Sequence, residues 1–338
     1  MYFSEPINRY IEIIMNQIYL APLEGVTDNI YRKTFDNYYG GVDKYFTPFL
    51  SANSVRTFTT REFDEIDPSK NDVKNTVPQL LTNASEPFLW AAKEIFSMGF
   101  HEINFNLGCP SGTVVAKKKG SGLLFYPDLL DHILYDIFEA LPSFQNSSDN
   151  EMLKISIKTR LGKVDPEEFY EILDIFNKYP IFELTIHPRI QSDFYREPIR
   201  RTFFDYATKH SKVPLVFNGE LKSLENISSC FLAYDSIRAV MIGRGLISNP
   251  SLAADYKNGI ANSTFDSDKI FAFHDDLLSQ YKVRFSGDKP VLHRMKELWS
   301  FWEVNFPGQE NAIKKIKKAK SLADYQSALH LNQVGGSD

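Results

Sequence analysis

The sequence predicts an α/β chain: a (β/α)8 TIM barrel followed by a small all-helical C-terminal domain. Short β-rich apolar runs recur eight times in the first 242 residues. Amphipathic, helix-like segments separate most of them. Beyond about residue 255 the strand signals stop and helical patterns continue alone. Alternating strands and helices argue for a parallel sheet with crossover connections. Eight repeats fit a closed barrel better than an open sheet, and such a barrel takes about 250 residues.

The runs lie at 17–22, 44–50, 76–81, 101–106, 153–159, 182–187, 213–217 and 238–242. Between the third and fourth, Phe88, Ala91, Ala92 and Ile95 repeat at helical spacing. In the tail, Leu292, Met295, Trp299 and Trp302 form a helical stripe that reads as core, and Pro307 ends it. The stretch 311–320 sets five lysines around Ile313 and Ile316, a solvated face or a phosphate-contacting one. The expected division is a catalytic barrel over residues 1–255 and a helical domain over 256–338.

A hydrophobic fraction of 43% and a charged fraction of 24% are those of a globular chain with a sizeable core. No apolar run is long enough for a membrane span. The start, MYFSEPINRYIEIIMNQ, lacks a basic leader and a cleavage site, so no secretion signal is read. Two cysteines, Cys109 and Cys230, are expected as reduced thiols in a cytoplasmic protein. The net charge of −5 mildly disfavours nucleic acid, but it does not exclude a local basic patch. Residues from Ser251 onward carry 12 basic and 11 acidic side chains, so the acidic excess lies in the first 250 residues.

In a TIM barrel, chemistry gathers at the C-terminal ends of the strands. Polar groups fall there repeatedly: Glu24 after the first run, Gln79 in the third, and Asn104, Asn106 and Cys109 at the fourth. Lys158 and Arg160 end the fifth, His187 and Arg189 the sixth, Asn218 to Glu220 the seventh, and Gly243 to Gly245 the eighth. Loops after strands seven and eight often bind phosphate. Gly219, Gly243 and Gly245 allow close backbone approach there, and Arg244 adds a charged fork. A phosphate at that place, with Lys158 and Gln79 deeper in the mouth, suits flavin mononucleotide (FMN). A cation such as Lys158 would stabilise the anionic reduced ring. Cys109, in a Gly-Cys-Pro loop, is a candidate general acid because an ordinary thiol is mainly protonated at neutral pH. Cys230, in SLENISSCFLAY, reads as helix core. No metal site is read.

The stretches LAPLEGVTD (20–28), INFNLGCPSGTVVAKKKGSGLL (103–124), IKTRLG (157–162), the His187/Arg189 pair, FNGE (217–220) and VMIGRG (240–245) resemble the tRNA-dihydrouridine synthases in order and spacing. LHRMKE (292–297) is similar to that family's helical domain. The resemblance runs from about Ile18 to Trp302.

It implies that Pro22, Leu23 and Glu24 line the flavin ring while Gln79 and Lys158 hydrogen-bond it. It places His187 beside the ring, and Asn218, Gly219, Glu220, Gly243 and Arg244 around the ribityl phosphate. It further implies reduction of FMN by NADPH, hydride delivery to C6 of a uracil, and protonation of C5 by Cys109. Asn106, Lys158, Arg160 and Tyr195 are the candidates for reading the base. The expected partners are tRNA and NADPH, with no membrane or metal, and the chain is expected as a monomer. The target uridine is expected to be flipped out of the RNA. Lys314, Lys315, Lys317, Lys318, Arg294 and Lys296 would grip the tRNA body.

The chain departs from the family pattern in three places. Leu23 stands where methionine is frequent. Lys117, Lys118 and Lys119 make the cysteine loop unusually basic. The segment 191–201 is only loosely similar. Two other readings remain at this level: an FMN-barrel reductase of a free pyrimidine, of the dihydroorotate dehydrogenase type, and a non-catalytic flavin-containing RNA-binding module. Substrate size separates the first, and failure of NADPH to reduce the flavin would mark the second.

Overall fold

The structure, a computed structural model, describes residues 16–144 and 152–334. Residues 1–15, where no secretion signal is read, lie outside the described part. The strands are β1 (Gln17–Leu20), β2 (Lys44–Phe46, resumed at Leu50–Ser51), β3 (Thr76–Val77 and Gln79–Leu81), β4 (Glu102–Leu107), β5 (Lys154–Arg160), β6 (Leu184–His187), β7 (Leu215–Phe217) and β8 (Ala239–Ile242). The longer helices are α1 (Asn29–Tyr38), α2 (Ser85–Ser97), α3 (Pro127–Ala140), α4 (Glu168–Phe176), α5 (Arg201–His210), α6 (Leu224–Ala233), α7 (Ser267–Arg284), α8 (Asp288–Trp302), α9 (Glu310–Lys318) and α10 (Leu322–Val334).

Every strand pairs in parallel with its neighbours, and β8 pairs with β1, Gln17 opposite Ala239 and Leu20 opposite Ile242. Pro78 has no N–H to give a ladder, so β3 is split there. Its first part pairs with β2 and its second with β4. The sheet therefore closes, as the eight runs predict. Observed strand ends fall within two residues of the predicted ones, apart from a break in β2.

The chain forms two compact units. Of the described residues, the first comprises those from 16 to 22, 42–221 and 225–242, and it contains the whole barrel. Alternate residues of each strand face outward onto helices, as where Phe105 of β4 meets Phe88 of α2 at 5.1 Å. The inward positions are unusually polar. At the N-terminal end, fully buried Glu183 accepts from Lys44 Nζ at 3.0 Å and from the Tyr19 hydroxyl at 3.1 Å. Lys44 also pairs with Glu102 at 2.7 Å.

The second unit comprises Leu23–Gly41, Lys222–Leu224 and the described residues from 243 to 334. Its core is aromatic: Trp299, Trp302, Tyr281 and Tyr325 are all buried. Helix α1 belongs here, which its periodicity alone does not reveal. Asp28 caps α1 by accepting from Tyr31 N, and the same carboxylate accepts from the Tyr281 hydroxyl of α7 at 2.9 Å. Gly41 ends this segment because a Cβ there would lie 2.4 Å from Ala254 N. Trp302 Nε1 donates to the Ile247 carbonyl at 2.9 Å, fixing α8 on the short helix Arg244–Ser248. Among the described residues no helix is long and apolar enough to cross a membrane.

Candidate functional site

At the C-terminal end of the barrel the inward side chains of β3, β4 and β5 form a chain of amides. Asn106 Nδ2 donates to Gln79 Oε1 (2.6 Å), Gln79 Nε2 to Asn104 Oδ1 (2.8 Å), and Asn104 Nδ2 to Ser156 Oγ (3.0 Å). The register explains this, since Gln79, Asn104 and Ser156 lie opposite one another. Buried amides must be paired, and this chain orders them in one direction. Among the described residues, Gln79 and Asn106 each retain one N–H, because each amide has two and donates one.

Asn106 also builds the cysteine loop. Its Oδ1 accepts from the backbone N–H groups of Gly108 (3.0 Å) and Cys109 (2.9 Å). The Cys109 carbonyl accepts from Ser121 N and Ser121 Oγ. Gly120, at φ +56°, packs against Cys109 so closely that a Cβ would sit 2.8 Å from the Cys109 carbonyl oxygen. Only glycine accepts both that backbone angle and that approach. Cys109 is half-buried; Cys230 is fully buried in α6, and burial pushes its thiol up to about 12. The helix-core reading of Cys230 therefore holds.

Lys158 faces the same interior, with Asn106 on one side and Thr185 on the other in register. Among the described residues its ammonium makes no hydrogen bond or ion pair. Burial, reinforced by the Arg160 charge, pulls it down to about 7, while a Cys109 thiolate would raise it. The Thr185 hydroxyl beside it is buried and also unpartnered. The buried Thr185 hydroxyl and the Lys158 ammonium are neighbouring donors at this end of the barrel, and together they suit an acceptor-rich ligand. This donor set fits the pyrimidine edge of a flavin.

Arg160 is 1% exposed and its donors are largely committed. Nε donates to the Gly108 carbonyl (2.9 Å), and NH1 to the carbonyls of Ile190 and Phe194 (both 3.0 Å). Its guanidinium lies 5.3 Å from the Tyr195 ring centroid. Phe194 holds φ +50°, a costly angle for a bulky residue, and its carbonyl is one of those bonded. Tyr195 is 54% exposed at the rim, 5.8 Å from the His187 ring.

Arg189 NH1 lies 3.1 Å from His187 Nε2. A guanidinium only donates, so Nε2 accepts and the imidazole proton sits on Nδ1. Buried Arg189 also binds the Glu197 carbonyl and the Glu220 carboxylate. Glu220 has φ +47°. Asn218 Nδ2 donates to the Met241 carbonyl at 2.8 Å, tying β7 to β8. Gly219 lies against Ile199, 3.2 Å from where its Cβ would be.

The structure thus brings Gln79, Asn106, Cys109, Lys158, Arg160, His187 and Tyr195 to one end of the barrel. Sequence reasoning passed over Ser156, Thr185 and the structural part of Arg189. The two-residue alternation along β5 and β6 was the available signal.

Leu23, Glu24, Gly243 and Arg244 belong to the second unit. Leu23 N donates to Thr27 Oγ1 at 2.8 Å, closing the turn that exposes Glu24. Gly243 caps the short helix, its carbonyl accepting from Leu246 N at 3.0 Å. Three of the six cations expected to grip RNA are engaged: Arg294 pairs with Asp28 (3.7 Å), Lys296 with the Ala319 carbonyl, and Lys317 with Glu303 (3.0 Å).

Residues 19–332 match the dihydrouridine synthase family. The tRNA-dihydrouridine(16) synthase of Vibrio vulnificus is 26% identical over 93% of this chain and 96% of its own length. That of Pseudomonas putida is 30% identical over 70% and 72%. The tRNA-dihydrouridine synthase B of Pasteurella multocida is 28% identical over 71% and 68%. In fold, the old yellow enzyme from Trypanosoma cruzi superposes with a TM-score of 0.51 at 9% identity, covering 75% of this chain and 91% of that one.

Proposed function

The chain belongs to the dihydrouridine synthase family, and from that premise we propose that it reduces selected uridines of tRNA to 5,6-dihydrouridine, with FMN as its cofactor and NADPH as reductant. The observation that carries the reading is the placement of Cys109, whose backbone Asn106 fixes, and of the Lys158 ammonium at the same end of the barrel.

Bound FMN would supply the hydride that reaches C6 of the uracil. Lys158 and the remaining N–H of Gln79 would hold the acceptor-rich edge of the flavin ring. His187, held through Nε2 by Arg189, would lie beside the ring. Cys109 holds the proton for C5 at Sγ, and the Asn106 bonds to its backbone aim it. The free N–H of Asn106 is available to a uracil carbonyl, and Tyr195 offers its exposed ring to the flipped base. Arg160 acts on the base through the loops it binds.

The barrel, within residues 1–255, would do the chemistry, in the cytoplasm. The helices within 256–338 would position the tRNA through Lys314, Lys315 and Lys318 of α9. Position 16 is the target we assign, because it is the position in the names of the Vibrio and Pseudomonas relatives.

The test is nucleoside mass spectrometry on unmodified tRNA incubated with flavin-loaded protein and NADPH, with Cys109→Ala in parallel. Two hydrogens gained on uridine, and lost in the variant, are expected. Fragment mapping should place them at position 16. Reducible flavin with no gain on any tRNA would instead point to a small pyrimidine substrate.

A further inference from the structure

The basic stretch Lys117–Lys118–Lys119 departs from the family pattern, and the reaction above makes no use of it. The structure places it beside two aromatic rings and a fourth lysine. Lys163 Nζ lies 4.4 Å from the Phe125 ring centroid, and Lys118 Nζ lies 4.4 Å from that of Tyr126. The two rings meet edge to face at 5.6 Å and 90°. The result is a ladder of cation, ring, ring and cation along the rim of the first unit.

Two features set this ladder apart from an ordinary solvated surface. Among the described residues, none of these four ammonium groups makes an ion pair, whereas Lys44, Lys70 and Lys178 of the same unit all do. Burial, and then the Lys117 charge, pull the Lys119 ammonium below its ordinary value. Cations crowded without counter-ions raise the local potential and favour an anionic partner.

The rings are also presented. Phe125 is 49% exposed although it ends a segment whose preceding residues are buried. Lys118 holds φ +55°, and Asn83 Nδ2 binds the Lys117 carbonyl at 2.9 Å. The segment is therefore anchored, and its ammonium groups are displayed from a fixed backbone. The segment that follows, Gly120–Phe125, begins against Cys109 and rises about 2 Å per residue as a 3-10 helix. Phe125 is thus about 10 Å along the chain from the thiol loop.

We infer that Lys117, Lys118, Lys119 and Lys163, with Phe125 and Tyr126, form an RNA-binding rim in which the lysines take backbone phosphates and Phe125 stacks an unpaired base beside the target nucleotide. Stacking on an aromatic face requires no particular base, and the lysine under Phe125 strengthens it. The assignment rests on the tRNA reading given above.

The test compares wild type with Lys117→Gln/Lys118→Gln/Lys163→Gln, Phe125→Ala and Phe125→Trp. Fluorescence anisotropy reads binding of a labelled, unmodified tRNA transcript across a range of KCl concentrations. The triple variant should bind about 10-fold more weakly at low salt. Its log Kd against log salt should be shallower by about 2, at roughly 0.7 per phosphate on single-stranded RNA. Phe125→Ala should weaken binding about 10-fold with the slope unchanged, and Phe125→Trp should restore it. Flavin content and NADPH oxidation without RNA should be the same in all four proteins.

Wild-type affinity and slope in the triple variant would overturn the phosphate role. Wild-type affinity in Phe125→Ala would overturn the stacking role. Lysine-dependent binding by a wild type that forms no dihydrouridine would sink the reductase reading and leave the rim standing.

Discussion

The guanidinium of Arg160, at the end of β5, is bonded through Nε to the carbonyl of Gly108 at 2.9 Å, one residue before Cys109. The same group holds the strained Phe194 carbonyl next to Tyr195. Arg160 is therefore a positioning residue that registers the cysteine loop against the aromatic loop. Lysine cannot reproduce a planar fork serving three carbonyls. Arg160→Lys should cost about 2 kcal/mol of stability. At equal flavin loading, alkylation of Cys109 by iodoacetamide should become several-fold faster and dihydrouridine output should fall at least tenfold. An unchanged alkylation rate would show that Arg160 does not hold the loop.

Burial, and then the neighbouring Arg160 charge, pull Lys158 down to about 7. The folded protein binds fewer protons here than the unfolded chain between about 7 and 10.5, so this residue makes stability rise with pH over that window. An acceptor ligand reverses the preference, since it needs the ammonium. FMN affinity, read by flavin fluorescence quenching, should fall about 10-fold from pH 6 to pH 8. Lys158→Met should lack this component, and comparing the two proteins cancels titration of the FMN phosphate. Parallel pH curves would contradict the assignment.

At the opposite end of the barrel, burial and then the Glu102 carboxylate push Glu183 up from the ordinary 4.5 to about 7. The folded state therefore retains a proton that the unfolded chain has lost between those values. Its contribution is complete below about 4.5 and disappears as pH rises through about 7. Position at the N-terminal end of the strands assigns the residue to stability. Glu183→Gln should flatten the dependence of Tm on pH between 5 and 8, gaining several degrees over wild type at pH 8. Identical pH profiles would rule this out.

On α9, Lys314, Lys315 and Lys318 make no ion pair among the described residues, unlike Lys317. Reversing these three to glutamate should weaken tRNA binding at least tenfold and reduce its salt dependence, with NADPH oxidation by the flavin intact. Reversing Lys317 alone should do less, because it already faces Glu303. Equal effects would mean the pairing is irrelevant to RNA contact.

The barrel was legible because each strand is an apolar run bounded by turn residues, and eight of them leave few other architectures. Closure was favoured by the number of runs but not proved by their periodicity, because it depends on which neighbour each half of β3 selects around Pro78. Cys109 and Lys158 could be singled out by position at strand ends. The commitment of Asn106 and Arg160 to loop backbone could not, since a polar side chain at a strand end carries no record of its partner. The same holds for Arg294 and Lys296, whose charges read as free and are engaged with Asp28 and Ala319. The amphipathic pattern of α1 announced a buried face without saying that Tyr281 of α7 would help cover it.

The pairing of Gln17 with Ala239 has a consequence during synthesis. The first strand leaves the ribosome more than two hundred residues before the partner that seals it. At about 5–20 residues per second, its hydrogen-bonding edge stays open for roughly 10–40 seconds. An open strand edge is a template for other chains. The nascent protein thus passes through a long interval in which Ile18 and Leu20 need shelter, and a chaperone that engages the early barrel strands would govern its yield.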